Sequence, residues 1–263
     1  MGNAGHTNYV VPGPVDLCIN LLLFKTGCLM HLFICETINK EQVLLNAEES
    51  QHAIKALRLR AGDSIAVTDG KGSMGYGALL NTDIKGCLIK IENSVNNYQK
   101  RNYYLHIAIA PTRQTDRFEW FLEKAVELGI DEITPLICHE SVRTRLRNER
   151  LQKIIESAVK QSVQAYLPKL NESIAVNKFA SETFDGLKLV AHCADDIKLE
   201  MINVVKKEQK VLILIGPEGD FTKDEIKLLL INNFKAVSLG QSRLRTETAG
   251  IYACSIMRAI NTI

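Results

Sequence analysis

The sequence has no stretch that is apolar for long enough to span a bilayer. Its most apolar early run, residues 17–24, falls well short of the ~20 residues a spanning helix needs. That run also lacks the preceding basic residues of a secretory signal, since its nearby cation, Lys25, comes after it. No C-x-x-C pair occurs. The seven cysteines are scattered at positions 18, 28, 35, 87, 138, 193 and 254, which argues against a structural zinc or a disulfide framework. Unpaired thiols without a secretion signal imply a cytoplasmic setting, with neither a membrane nor a metal expected as partner. A strong charge of one sign is missing too: a net charge of +2 means that any nucleic-acid contact must come from a local patch. Three catalytic signatures are absent as well. The first strand of the α/β region ends in Ala110, Pro111, Thr112 and Arg113, without the glycines of a dinucleotide turn. No G-x-S-x-G elbow exists, and no glycine turn ends in the Lys-Ser/Thr of a triphosphate loop.

What is present is organised around residues 212–225, LILIGPEGDFTKDE. The β-branched run 211–215 fits a strand covered on both faces, and Gly216, Pro217 and Gly219 then break the chain. Thr222 and Glu225 form a capping box that opens a helix. Backbone donors at such a turn can meet a ligand without interference from side chains. A second junction of the same kind follows: a strand at 235–239, Gly240, and a final helix for which Thr246 is the expected cap. The strand at 187–193, ending in His192 and Cys193, gives a third. Cys-His catalysis lacks a partner pattern there.

The remaining chain divides in two. Residues 30–92 alternate short strands with glycine turns, as in a small β-barrel domain, interrupted by one helix at 47–59 that carries His52, Lys55 and Arg58 on one face. Residues 93–102 are polar and aperiodic and mark a boundary; residues 1–29 read as a loose extension ahead of a fold that begins near Met30. Beyond the boundary, strands at 104–110, 133–138 and 187–193 alternate with helices at 116–128 and 148–164, the first capped by Asp116 with Glu119. This is an α/β domain on a parallel sheet. Arg143, Arg145, Arg147, Arg150, Lys153, Lys160 and Lys169 face only two acids within their own stretch, a pattern suited to a phosphate backbone but equally to a solvated surface.

Five segments together resemble the RsmE family of 16S ribosomal RNA uridine N3-methyltransferases, of the SPOUT class. They are HAIKALRLRAGD (52–63), RFEWFLEKAVELGIDEITPL (117–136), AVKQSVQAYLPKL (158–170), LIGPEGDFTKDE (214–225) and LGQSRLRTETA (239–249). The likeness covers about nine-tenths of the chain, and residues 1–29 lie outside it. It implies a PUA-like barrel over 30–98 and a trefoil-knotted methyltransferase domain over 99–263. S-adenosylmethionine would be the methyl donor, the 16S rRNA or small ribosomal subunit the partner, uracil-1498 the target, and a homodimer the assembly. Carried onto matching positions, the cofactor would meet His192, Cys193, Ile215, Gly216, Glu218, Gly219, Leu239, Gly240, Leu244 and Thr246. RNA would meet His52, Lys55, Arg58, Arg60, Arg143 and Arg145.

A neutral uracil must lose its N3 proton before attacking a sulfonium methyl, so the expected roles are anion stabilisation by Arg245 and proton removal by Glu247 or Glu218. Both acids also have structural explanations, Glu247 complementing a helix start and Glu218 bracing the turn. Two positions depart from the family pattern: Asp220 stands where a second glycine is usual, and Arg243 lies in a Ser-Arg-Leu-Arg run in place of Arg-Ile-Leu-Arg. These departures leave open a non-catalytic RNA-binding protein on the same fold, or a related methyltransferase with another RNA target.

Overall fold

The computed structural model describes residues 30–38, 41–194 and 197–262. The expectation of a loose extension at 1–29 lies outside them. The first sheet has the order β1(His31–Ile34), β3(Ser64–Thr68), β4(Met74–Leu79), β5(Leu88–Val95), β2(Gln42–Leu44). Inward-facing Phe33, Ile65, Val67, Leu79 and Ile89 make its core. β5 extends through Val95, so residues 93–95, expected in the boundary, pair with Tyr76, Gly75 and Met74 beyond a bulge. An antiparallel ladder tolerates polar side chains where one face meets water.

The helix expected over 47–59 is shorter. Helix α1(Ala47–Gln51), capped by the Asn46 side chain on the Glu49 amide, runs into a wider π turn at His52–Ala56. Arg58 then takes φ 57°, which closes the helix early. His52, Lys55, Arg58 and Arg60 all remain exposed, with the His52 ring edge-on to Phe33.

The second sheet follows the order β11(Leu199–Glu200), β13(Lys235–Ser238), β10(Leu187–Ala191), β12(Lys210–Ile215), β6(Tyr104–Ile109), β7(Glu132–Ile137), β8(Lys169–Leu170), with β9(Ile174–Ala175) also on β7. Every pairing in it is parallel. Alternate residues of β6 and β12 go to opposite faces, and both faces are covered, which is why these strands read as unbroken apolar runs. On one side Leu105, Ile107, Ile109, Val211 and Ile213 pack against α2(Thr115–Leu128), α3(Asn148–Gln161) and α7(Thr246–Thr262). On the other, Ala108, Leu212 and Leu214 meet α4(Val176–Phe179) and α6(Lys223–Ile231) through Phe179, Ile226 and Leu229. Another short helix, α5(Met201–Val204), follows β11 and buries Met201.

Several helix ends differ from expectation. Helix α2 starts at Thr115 from Gln114 with no side-chain cap, so Asp116 lies inside the first turn, while Gly129 closes it at φ 94° as expected. Helix α6 does carry the Thr222–Glu225 capping box. Thr246 is the first residue of α7 rather than a free cap, and its hydroxyl is engaged elsewhere.

The two sheets are sewn together by the turn at 69–72. Gly72 N–H donates to the Ala165 carbonyl, Leu167 N–H to the Gly70 carbonyl, and Tyr98 N–H to the Gly72 carbonyl, each at 2.9 Å. Gly72 sits at φ 108° with a Cβ position 2.5 Å from the Tyr166 hydroxyl, so a side chain there would push the seam apart. Lys160–Glu49 at 2.7 Å and Lys153–Glu48 at 2.8 Å add two charged ties between α3 and α1.

A polar cluster is buried at the β6–β7 edge. His106 Nε2 lies 2.7 Å from Thr134 Oγ1, Tyr104 donates its hydroxyl to Glu132, and Asn171 donates to both Glu132 and Thr134. Burial holds His106 down at about 4, outweighing the pull of Glu132. Burial pushes Glu132 up, but the bonds from Tyr104 and Asn171 and the Lys169 ammonium prevail and hold it at about 2. The unfolded chain therefore takes up the His106 proton near pH 6.5 while the folded chain refuses it to about 4. Stability attributable to this residue is complete above pH 6.5 and falls as the pH drops to about 4, by up to ~3 kcal/mol. Glu132 extends the loss from 4.5 down to about 2. Urea unfolding as a function of pH should show this slope, and His106→Asn should flatten its upper part.

Candidate functional site

The sheet register sets up the site. Ala191, Ile215 and Val237 lie side by side on β10, β12 and β13, and Ile109 continues the row on β6. The chains leave the sheet on the same edge just beyond this row, β13 one residue later at Ser238, as parallel strands require. The loops after β10, β12 and β13 enclose a cavity of about 670 Å³ there. The crevice beyond the carboxyl ends of parallel strands is the general ligand position of such sheets.

Of the residues singled out from sequence, His192, Cys193, Ile215, Gly216, Glu218, Leu239, Gly240, Leu244, Arg245 and Thr246 all line this cavity. Gly219 does not line it: its Cβ position would lie 2.9 Å from Glu140 Cβ, facing away. Glu247 is also outside the lining; it is buried beneath α2, 3.9 Å from Arg117 Nε. Glu218 does face the cavity, and its Oε1 accepts from the Arg113 amide at 2.8 Å. The Glu218 carbonyl accepts from Arg243, and the Arg113 carbonyl from Arg143. Arg113, Arg143 and Arg243 thus gather around one loop, with Arg245 on the same cavity wall.

Three participants escaped the sequence reading. Lys198 donates to the His192 and Ala194 carbonyls and lies 3.3 Å from His192 Nδ1. Arg117 holds Glu247. Arg113, at the carboxyl end of β6, was discoverable from its place at a parallel strand end. Arg117 carries no local signal, because it meets Glu247 only through the fold, and Lys198, though within six residues of its carbonyl partners, belongs to no motif. Asp220 bridges two backbone amides, its Oδ2 accepting from Cys193 N–H at 2.7 Å and its Oδ1 from Phe221 N–H at 2.9 Å.

The stretch of seven cations between 143 and 169 is less charged than its sequence implies. Arg150 is paired with Glu119, Lys153 with Glu48, Lys160 with Glu49 and Lys169 with Glu132. Among the described residues Arg143, Arg145 and Arg147 have no carboxylate partner, nor do Lys55, Arg58 and Arg60. Arg143 is half-buried and Arg145 exposed. A larger hollow of about 810 Å³ opens near the other end of the sheet, around Arg101, Tyr103 and Tyr166, and contains none of the expected site residues.

The cavity is suited to a nucleoside ligand with a polar tail. Val237, Leu239, Leu244 and Ala249 offer an apolar wall for a flat ring, while the 216–218 and 238–241 backbones supply amides and carbonyls. Gly240 at φ 106° has nothing within 4 Å of its Cβ position, so the wall is open at that point. No group of three or more acidic, histidine or cysteine side chains able to hold a metal ion occurs among the described residues.

Residues 99–258 match the family described as RNA methyltransferase domain, and residues 45–92 the one described as RNA methyltransferase PUA domain. The chain is 27% identical over 231 residues to "Ribosomal RNA small subunit methyltransferase E" of Synechocystis, covering 86% of this chain and 75% of that one. It is 26% identical over 226 residues to the protein of the same name from Rickettsia conorii, covering 84% and 91%. Among solved structures, a protein of Porphyromonas gingivalis described as a probable rRNA-methyltransferase superposes with TM-score 0.80 at 35% identity, over 89% of this chain and 99% of that one. A Legionella pneumophila protein solved with the bound cofactor SAM gives TM-score 0.80 at 26% identity, with coverage of 89% and 99%.

The buried Thr246 hydroxyl donates to the Gly216 carbonyl at 3.0 Å, tying the start of α7 to the first cavity loop. Thr246→Val keeps the shape and removes the donor, so stability should fall by about 1–2 kcal/mol in urea unfolding, with the secondary structure unchanged.

Proposed function

Because this chain belongs to the RNA methyltransferase family, we propose that it transfers a methyl group from S-adenosylmethionine to N3 of a uridine in small-subunit 16S ribosomal RNA. The carrying observation is the cavity at the β10, β12 and β13 ends, walled by backbone and apolar side chains and rimmed by arginines. The names of the relatives and the SAM-bound neighbour support the choice of substrate and donor.

When bound, S-adenosylmethionine supplies an electrophilic methyl group on sulfur. His192, Cys193, Ile215, Gly216, Leu239, Gly240, Leu244 and Thr246 would hold it. Arg245 opposes negative charge on the uracil oxygens as the N3 proton leaves, lowering the cost of forming the anion. Of the two acids considered, Glu218 is the better base, since it faces the cavity, whereas Glu247 is turned toward Arg117. The Arg113 amide fixes the Glu218 carboxylate in direction without shielding its second oxygen through that bond.

RNA would approach over Arg113, Arg143, Arg145 and Arg243, with His52, Lys55, Arg58 and Arg60, on the π turn of the N-terminal domain and the segment after it, as a second contact. The domain division at 98 and 99 follows from this separation of roles, and the trefoil knot belongs to the same reading of residues 99–263. A homodimer is supported by Trp120 on α2 and Tyr252 on α7, two large aromatic side chains 44% and 43% exposed on packed helices. Action on ribosomal RNA accords with a cytoplasmic setting.

Nucleoside analysis of small-subunit rRNA from a deletion strain should lack N3-methyluridine, and the purified protein should restore it; an unchanged nucleoside profile would sink the assignment. Arg245→Ala should lower turnover by about 10²–10³ with cofactor affinity largely retained. Neutralising Lys55, Arg58 and Arg60 together should weaken rRNA binding and reduce the log–log salt slope by roughly 2, read from filter binding at several salt concentrations.

A further inference from the structure

We propose that Asp220 is a positioning residue of the methyl-donor pocket, fixing the 192–194 wall onto the 216–220 loop; this rests on the cofactor reading above. Asp220 occupies φ 68°, a backbone region unfavourable to most side chains, where the resembling family usually has glycine. Aspartate tolerates this region better than most side chains, and here its carboxylate makes two contacts. Oδ2 accepts from Cys193 N–H at 2.7 Å, across 27 residues of sequence, and Oδ1 accepts from Phe221 N–H at 2.9 Å. The Asp220 amide in turn donates to the Pro217 carbonyl at 2.9 Å, closing the turn that carries Glu218.

The opposite side of the same wall is held by Lys198, whose ammonium donates to the His192 carbonyl at 2.8 Å and to the Ala194 carbonyl. An anion and a cation thus engage three successive residues of the wall. The Cys193 N–H and the His192 and Ala194 carbonyls are satisfied within the protein. The wall therefore meets a ligand as a preset shape. Where glycine replaces Asp220, the Cys193 amide is released and the wall loses one of its two ties.

Cys193 provides a native reporter, being the exposed thiol among the described cysteines, the other four being buried. Full-length protein and the variants D220G, D220N and K198M would be treated with a small thiol reagent, with C193S subtracting labelling at other cysteines. S-adenosylmethionine affinity would be measured by calorimetry on the same samples. D220G should label Cys193 about fivefold faster and bind the cofactor about tenfold more weakly. D220N, which keeps one acceptor oxygen, should recover most of both, and K198M should shift both in the D220G direction. Unchanged labelling and unchanged affinity in D220G would overturn the proposal, as would weaker affinity with no change in labelling. Should D220G fail to fold, D220N and K198M decide by the same two readouts. If the unaltered protein does not bind the cofactor, the methyl-donor reading fails by itself, while the labelling rates still test whether Asp220 holds the wall.

Discussion

Parallel pairing in the second sheet is the constraint on which the site depends. With β10, β12, β13 and β6 all running the same way, Ala191, Ile215, Val237 and Ile109 fall in one registered row and their chains all emerge on one edge. Three of these strand ends, those of β10, β12 and β13, feed the loops that form the common cavity, and the loop after β6 borders it through the Arg113–Glu218 bond. The apolar cores on both faces lock that register, since a slip by one residue would exchange Leu212 and Leu214 with Val211 and Ile213 between two differently shaped packing layers. Packing energy thus fixes the position of backbone atoms that themselves bind nothing.

How far this was visible in the sequence depends on whether a feature is local. The 211–215 run, the Thr222–Glu225 box and the Gly129 stop are decided within a few residues, and each was legible for that reason. The π turn at His52–Ala56 was not, because an inserted residue changes the hydrogen-bond pattern while leaving the helical spacing almost intact. Asp116 in turn shows that a capping signature can sit one turn position inside a helix whose start is set by packing. Asp220 is the sharpest case. Sequence alone marked it as a departure, but its meaning lies in Cys193, Phe221 and a positive φ, none of which a linear reading joins.

Charge behaves in the same way. Between positions 143 and 169 the chain looks strongly basic, yet four of its seven cations are matched by carboxylates brought from α1, α2 and β7. Two of those pairs, Lys153–Glu48 and Lys160–Glu49, join the sheets rather than wait for a ligand. The Lys153 pair is exposed and screened by solvent, so its stability contribution is small; the Lys160 pair, with Glu49 buried, specifies geometry more firmly. What remains for an anionic partner is the smaller set whose side chains have no carboxylate partner among the described residues. Arg243 and Arg245 line the cavity, and Arg143 reaches the Arg113 carbonyl beside it, so part of the electrostatic attraction lies at the cavity mouth.

The seam at 69–72 gives this charge distribution its mechanical setting. Backbone bonds from Gly72, Leu167 and Tyr98 leave the turn little freedom against the 165–167 segment, and Tyr166 fills the space a side chain at Gly72 would need. The exposed cations of the first domain, on the π turn and the segment after it, are therefore carried at a fixed offset from the cavity rather than on a free arm. A rigid offset favours a substrate whose own fold presents a phosphate backbone and one accessible base at matching separation, because a flexible strand would lose conformational entropy in meeting both surfaces. That preference fits structured ribosomal RNA better than an unstructured oligonucleotide, and it derives from the seam rather than from any residue of the cavity itself.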